Sequence, residues 1–119
     1  MQRPLRLRRK EDFARLRTSG QVWRHPFVIM SAAPNALPHN RYGFIIGKRL
    51  GNAVRRNRIR RLLREAVRQA HPVLAQGYDV VFIAREAIAG QDLAAIRAAV
   101  VSCLQRAGLH PKAGEDDAP

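Results

Sequence analysis

Residues 48–68 read KRLGNAVRRNRIRRLLREAVR. The stretch carries nine of the chain's 22 basic residues and a single acid, Glu65. Ile59, Leu62, Leu63, Ala66, Val67 and Ala70 recur at helical spacing and make one apolar stripe. Asn52 suits the N-cap, Ala53 and Val54 enter the helix, and Pro72 sits just past its end. Asn57, Arg61, Arg64 and Arg68 fall opposite the stripe, with Arg58 on one shoulder and Arg60 on the other. One face is thus committed to a core. The other holds charge that no apolar interior accepts unpaired.

The flanks of this helix set the fold class. Before it, Arg41 to Gly47 alternates, with Tyr42, Phe44 and Ile46 on one face and Gly43, Ile45 and Gly47 on the other. After it, Tyr78 to Ala84 (YDVVFIA) is nearly continuous in apolar residues, as in a strand covered by helices. Further upstream, the run Phe27-Val28-Ile29-Met30 reads as a strand, with Pro26 marking an irregular start, and Pro34 to Asn40 as a turn. The Arg41–Gly47 strand is expected to pair antiparallel with it across that turn. A first helix is expected from Lys10 to Thr18, ended by Gly20. Leu93, Ile96, Val100, Cys103 and Leu104 mark a last helix stopped by Gly108. The order α-β-β-α-β-α predicts a small α+β sandwich, with helices packed on a mixed sheet. One domain is expected over residues 1–108, with 1–8 a flexible basic arm and 109–119 a disordered acidic tail.

Charge narrows the function. The 119 residues carry a formal net charge of +13, which favours a polyanionic partner, most simply nucleic acid. Solvated helix faces usually mix both signs, whereas here like charges stand three and four apart. Every basic residue between 49 and 68 is arginine, whose planar fork grips phosphate oxygens in pairs and stacks on bases. The preceding loop, Gly47-Lys48-Arg49-Leu50-Gly51-Asn52, reads equally as a tight turn or as a phosphate-facing helix entry.

Catalytic chemistry is hard to find. His25, His39, His71 and His110 are scattered, and no HxH or HExxH spacing occurs. A two-metal phosphodiesterase needs several carboxylates around one site, yet Glu11-Asp12 is the only adjacent acid pair outside the tail. The single cysteine, Cys103, lies on an apolar stripe and reads as a core thiol. It permits no intrachain disulfide, and no apolar run is long enough to span a membrane, so a cytoplasmic setting is expected. A structural ribosomal protein, a DNA-binding regulator and an autonomous nuclease are the rival readings. The second lacks a preceding helix joined by a short turn, and the third lacks a carboxylate cluster.

The segment KRLGNAVRRNRIRRLLRE, with its Arg56-Asn57-Arg58 core, resembles the signature of the bacterial ribonuclease P protein subunit. The similarity extends to Glu11-Asp12-Phe13, Phe27-Val28-Ile29, Gly43 to Gly47 and YDVVFIAR, spanning roughly residues 3 to 106. It implies an accessory subunit of a ribozyme that removes 5′ leaders from precursor tRNA. Catalysis and the Mg²⁺ ions then belong to the RNA subunit and substrate. The resemblance implies one protein per RNA, monomeric when free. It assigns contact with the catalytic RNA to Lys48, Arg49, Asn52, Arg56, Asn57, Arg58, Arg60, Arg61, Arg64 and Arg68. It assigns a single-stranded leader cleft to Phe13, Phe27 and neighbouring strand positions, with Met30 where the family carries an aromatic. Family members often carry a second aromatic one turn after Phe13. Leu16 and Arg17 stand there instead, so leader contact is expected to lean on Arg17 and electrostatics. The resemblance also implies a left-handed β-α-β crossover around the basic helix.

Overall fold

The computed structural model describes residues 5–7 and 9–111. Its elements are α1 (Lys10–Ser19), β1 (Gln21–Arg24), β2 (Val28–Pro34), β3 (Arg41–Ile45), α2 (Ala53–Ala70), β4 (Tyr78–Ala84) and α3 (Leu93–Arg106). Short 3-10 turns lie at Lys48–Leu50, His71–Val73 and Glu86–Ile88.

Four strands form one mixed sheet in the order β1-β2-β4-β3. β4 is central, antiparallel to β2 and parallel to β3. This corrects the expected pairing of β3 with β2. The turn at 35–40 returns the chain in the antiparallel sense, but β4 occupies the place between them. The strand β1 is an addition to the expected order. Its four residues, QVWR, are mostly exposed and only Trp23 packs inward, so no alternation announces it. It forms a hairpin with β2, with Trp23 opposite Met30, across a turn in which Phe27 N–H donates to His25 Nδ1 at 3.0 Å.

The pleat sends alternate residues to two covered faces. Val28, Met30, Tyr42, Val80 and Phe82 face α2 and α3 in the main core, with Ile59, Leu63, Val67, Ile96 and Val100. Ala33 and Val81 face α1 in a smaller cluster with Leu7, Leu16 and Phe13. The molecule is thus three layers, with α1 alone on one side. A helix of 10 residues cannot cover that face, and the uncovered part becomes a cleft.

Two polar networks pin these layers. Asn40 is fully buried; its Nδ2 donates to the Ala75 carbonyl (2.8 Å) and to Tyr42 Oη (3.1 Å), and its Oδ1 accepts from Tyr78 N–H (2.8 Å). Tyr42 Oη shares a 2.7 Å hydrogen bond with His71 Nδ1, tying β3 to the end of α2. Burial pushes this phenol up to about 12, despite the hydrogen bond from Asn40. On the other face the buried Asp79 carboxylate takes paired bonds from Arg41 (2.9 and 2.7 Å), one from Asn35 (2.9 Å) and one from Arg15 of α1. Burial alone would raise the Asp79 pKa. Hydrogen bonds from Arg41 and Asn35, with the Arg41 and Arg15 charges, outweigh it and hold the carboxyl below its usual value.

Both chain ends differ from expectation. Leu7 is buried, and its N–H donates to the Tyr42 carbonyl at 2.7 Å, so residues 5–7 belong to the fold. Leu109 is also buried, and its carbonyl accepts from Ala75 N–H at 2.9 Å. The rest of the expected arm and tail, 1–4, 8 and 112–119, lies outside the described residues. No described helix is long and apolar enough to cross a membrane.

Candidate nucleic-acid interface

The entry to α2 is built by its own sequence. Leu50 is buried and anchors the 3-10 turn, which leaves Lys48 and Arg49 exposed. Gly51 has φ 127°, a conformation that L side chains rarely adopt, and a Cβ there would come within 2.7 Å of Arg55 Cδ. Asn52 Oδ1 then accepts from Arg55 N–H at 3.0 Å, the expected cap. Asn52 therefore sets where the helix starts and how its first arginines point.

Along α2 the apolar stripe buries Ile59, Leu63, Ala66, Val67 and Ala70. Arg55, Asn57, Arg58, Arg61 and Arg68 are exposed. Arg56, Arg60 and Arg64 are half-buried, so the charged face is less fully outward than a helical wheel implies. Arg58 Nη2 donates to the Gln91 carbonyl at 3.3 Å, and Arg60 Nη1 to Asn57 Oδ1 at 3.0 Å. Glu65 is occupied by Arg68 (2.8 and 2.5 Å) and Gln69 (3.1 Å). The Arg68 hydrogen bonds, helped by Gln69, draw its carboxyl down to about 2. Its charge therefore neutralises the far end of the helix and, among the described residues, leaves the Arg55–Arg64 region uncompensated. Arg64 closes that region. Burial, and then the charges of Arg6 and Arg60, weaken its hold on its proton.

The second surface is the cleft on the α1 side, about 670 Å³ in volume. Lys10, Phe13 and Arg17 form its helical wall, and Ile45, Val81 and Ile83 its floor. At Ile83 it adjoins a hollow of about 410 Å³ bordered by Ile29, Arg49 and Arg85. The result is an aliphatic trough with cations on both rims. Arg49 also lies 3.6 Å from Glu86, an exposed pair that solvent weakens.

Phe13 and Arg17 thus fall where a cleft was expected, whereas Phe27 and Met30 do not. Met30 is 0% exposed and faces α2 and α3, because it shares the parity of Val28 and Ala32. Phe27 packs against the same core and against the His25 ring, with centroids 5.1 Å apart. The floor is instead Ile45, Val81 and Ile83, with Ile29 in the adjoining hollow. Ile45 had a signal, since the alternation of β3 places it opposite Tyr42 and Phe44; its 41% exposure shows that its face is left open.

Among the described residues no group of three or more His, Cys, Asp or Glu side chains could hold a metal ion. Asp79 is engaged by arginines, and Cys103 is buried, with burial raising its thiol pKa.

Comparison with known proteins places this geometry. A family model described as Ribonuclease P matches residues 1–108. The chain is 48% identical over 110 residues to the ribonuclease P protein component of Roseiflexus castenholzii, covering 92% of this chain and 90% of that one. It is 41% identical over 109 residues to that of Herpetosiphon aurantiacus, covering 92% and 89%. Among solved structures, the Staphylococcus aureus RNase P protein superposes with a TM-score of 0.83 at 26% identity, covering 90% of this chain and 98% of that one. The Thermotoga maritima RNase P protein gives 0.79 at 27%, covering 85% and 96%. The three helices on a four-stranded mixed sheet are the fold of those proteins. The chain belongs to the ribonuclease P family, as a protein component of that tRNA-processing enzyme.

Proposed function

We propose that this chain is an accessory subunit with two RNA surfaces. The arginine face of α2, with Lys48 and Arg49 before it, docks on the catalytic RNA. The trough between α1 and the sheet holds the single-stranded 5′ leader of precursor tRNA. The RNA carries the endonucleolytic step and, with the substrate, the Mg²⁺ ions. The protein positions the substrate and screens the repulsion between two polyanions.

One observation carries this reading: a domain this small has both an uncompensated arginine face and a separate open trough with basic rims. The first suits folded RNA, whose phosphates lie on a surface. The second suits a single strand, which can lie along a trough and present its bases to the floor. Phe13 is the one aromatic on the trough wall, so the aliphatic floor offers contact without strong base selection. Family membership also separates this reading from the ribosomal one, which charge alone admits.

Reconstitution tests it. The purified chain, added to ribonuclease P RNA and precursor tRNA at low Mg²⁺, should restore leader cleavage. It should also favour leader-bearing tRNA over mature tRNA in binding to the complex. Absence of any effect on cleavage sinks the proposal. Restored cleavage with no preference for the leader sinks its second half alone.

A further inference from the structure

We infer that the hollow between α2 and the loop entering α3 receives one unstacked nucleobase of the catalytic RNA. That the base comes from the catalytic RNA rests on the function proposed above; the nucleotide site itself rests on geometry.

The hollow holds about 400 Å³ and is lined by Arg55, Arg58, Ile59, Ala89 and Gly90. Its loop side is a tight turn. Ala89 has φ −60° and ψ 131°, Gly90 has φ 81°, and Gln91 N–H donates to the Ile88 carbonyl at 3.1 Å. These are the marks of a type II turn, whose third position selects glycine. The turn's own bond uses neither polar group of the Ala89–Gly90 peptide, which borders the hollow.

The helix side holds two arginines whose stems are set in place. Gly51 makes room for Arg55, since a Cβ at residue 51 would meet Arg55 Cδ at 2.7 Å. Arg58 is tethered across the gap by its bond to the Gln91 carbonyl. Buried Ile59 adds apolar surface on the same side of the helix. The acids of the loop are engaged elsewhere, Glu86 with Arg49 and Asp92 as the cap of α3. Charge and apolar surface therefore meet in one small hollow.

A bare phosphate would use the charge and waste the apolar lining. An aromatic side chain would use the lining and leave two cations without a partner. A nucleotide uses both. Its ring can lie against Ile59, Ala89 and a guanidinium plane, its base edge can meet the peptide of the turn, and its phosphate can take the forks at the rim. Folded RNA offers such bases in loops and bulges, where they are already unstacked. The leader is the poorer match, because its proposed trough lies on the opposite face of the sheet.

The test has two arms. In the first, the amide signals of Ala89 and Gly90 in the full chain are followed by NMR. AMP, UMP or ribose 5-phosphate is added to about 10 mM, near saturation for a site of millimolar Kd. Both nucleotides should shift both signals saturably, and ribose 5-phosphate should not. Equal shifts from ribose 5-phosphate reduce the site to a phosphate rim and overturn the proposal, as does the absence of a shift from either nucleotide. In the second arm, catalytic-RNA binding is measured against salt. Ala89→Leu, which fills the hollow from an exposed position, should weaken binding about tenfold, the loss of one stacked base, at an unchanged salt slope. Arg58→Lys keeps the charge, loses the plane and should do the same. Ala98→Leu, on the exposed side of α3, should bind as wild type. Wild-type binding by either Ala89→Leu or Arg58→Lys overturns base insertion. So does a lowered slope in Ala89→Leu, which marks a displaced arginine. A loss confined to leader-bearing tRNA removes the assignment to the catalytic RNA. The first arm needs no RNA subunit, so nucleotide shifts in a chain that binds no catalytic RNA keep the pocket and lose the ribonuclease P proposal. Restored cleavage without those shifts does the reverse.

Discussion

The ring of Phe13 rests on Gly43: a Cβ at residue 43 would lie 2.8 Å from Phe13 Cζ and 3.3 Å from Leu7 Cβ. The glycine is thus a seat for α1 and for the N-terminal segment together. Gly43→Ala should lift both. Overpacking of this kind costs about 1–3 kcal/mol, to be read from urea denaturation. Leader binding should fall as well, because Phe13 forms part of the trough wall. A stability loss with leader affinity intact would detach Phe13 from that role.

Asp79 latches α1 to the sheet through Arg15 and Arg41. Asp79→Ala should cost about 2–3 kcal/mol, below the 3–5 of a fully buried pair because both arginines reach solvent. Denaturant midpoints of Asp79→Ala and Asp79→Asn measure it. A change under about 0.5 kcal/mol, the range of ordinary surface substitutions, would show that the latch is idle.

The same carboxyl sets an acid limit. Its folded pKa is depressed, so its stabilisation is fully present above the unfolded value, about 3.9, and is lost as pH falls through the folded one. Melting temperature should therefore drop below about pH 4. The wild type and Asp79→Asn should converge there. A constant gap between them down to pH 2 would contradict the depressed pKa.

Arg17 stands on the trough wall and Arg61 on the exposed face of α2. Arg17→Ala should lower the salt slope of leader binding by about one and leave catalytic-RNA binding alone. Arg61→Ala should do the reverse. The pair forms a double dissociation, read by binding at several salt concentrations. If both variants change the same curve, the two surfaces are not separate.

Legibility in the sequence followed the range of the interactions. α2 was readable to its cap, because Asn52, the stripe from Ile59 to Ala70 and Pro72 all act within a few residues. β4 and α3 were readable for the same reason. The neighbours of β4 were not, since the pairing of Val81 with both Ser31 and Gly43 spans dozens of residues and leaves no local mark. β1 escaped because one inward residue, Trp23, makes no pattern. Met30 was misplaced because a family position was followed instead of the alternation that joins it to Val28. Arg6 was read as part of an arm, since its docking depends on an edge of β3 that charge counting does not reveal.

The central place of β4 has a consequence for how the chain is made. Residues 41–45 and 28–34 emerge from the ribosome long before 78–84, yet β2 has only β1 beside it, and β3 no neighbouring strand of the sheet, until β4 arrives. Asp79, the latch for α1, arrives in the same strand, as do the floor residues Val81 and Ile83. The arginine helix is therefore translated first, next to a sheet that is still in two pieces. Such late, non-local closure is slow. During synthesis the nascent chain exposes its most basic segment, beside ribosomal RNA, before the trough proposed for the leader exists.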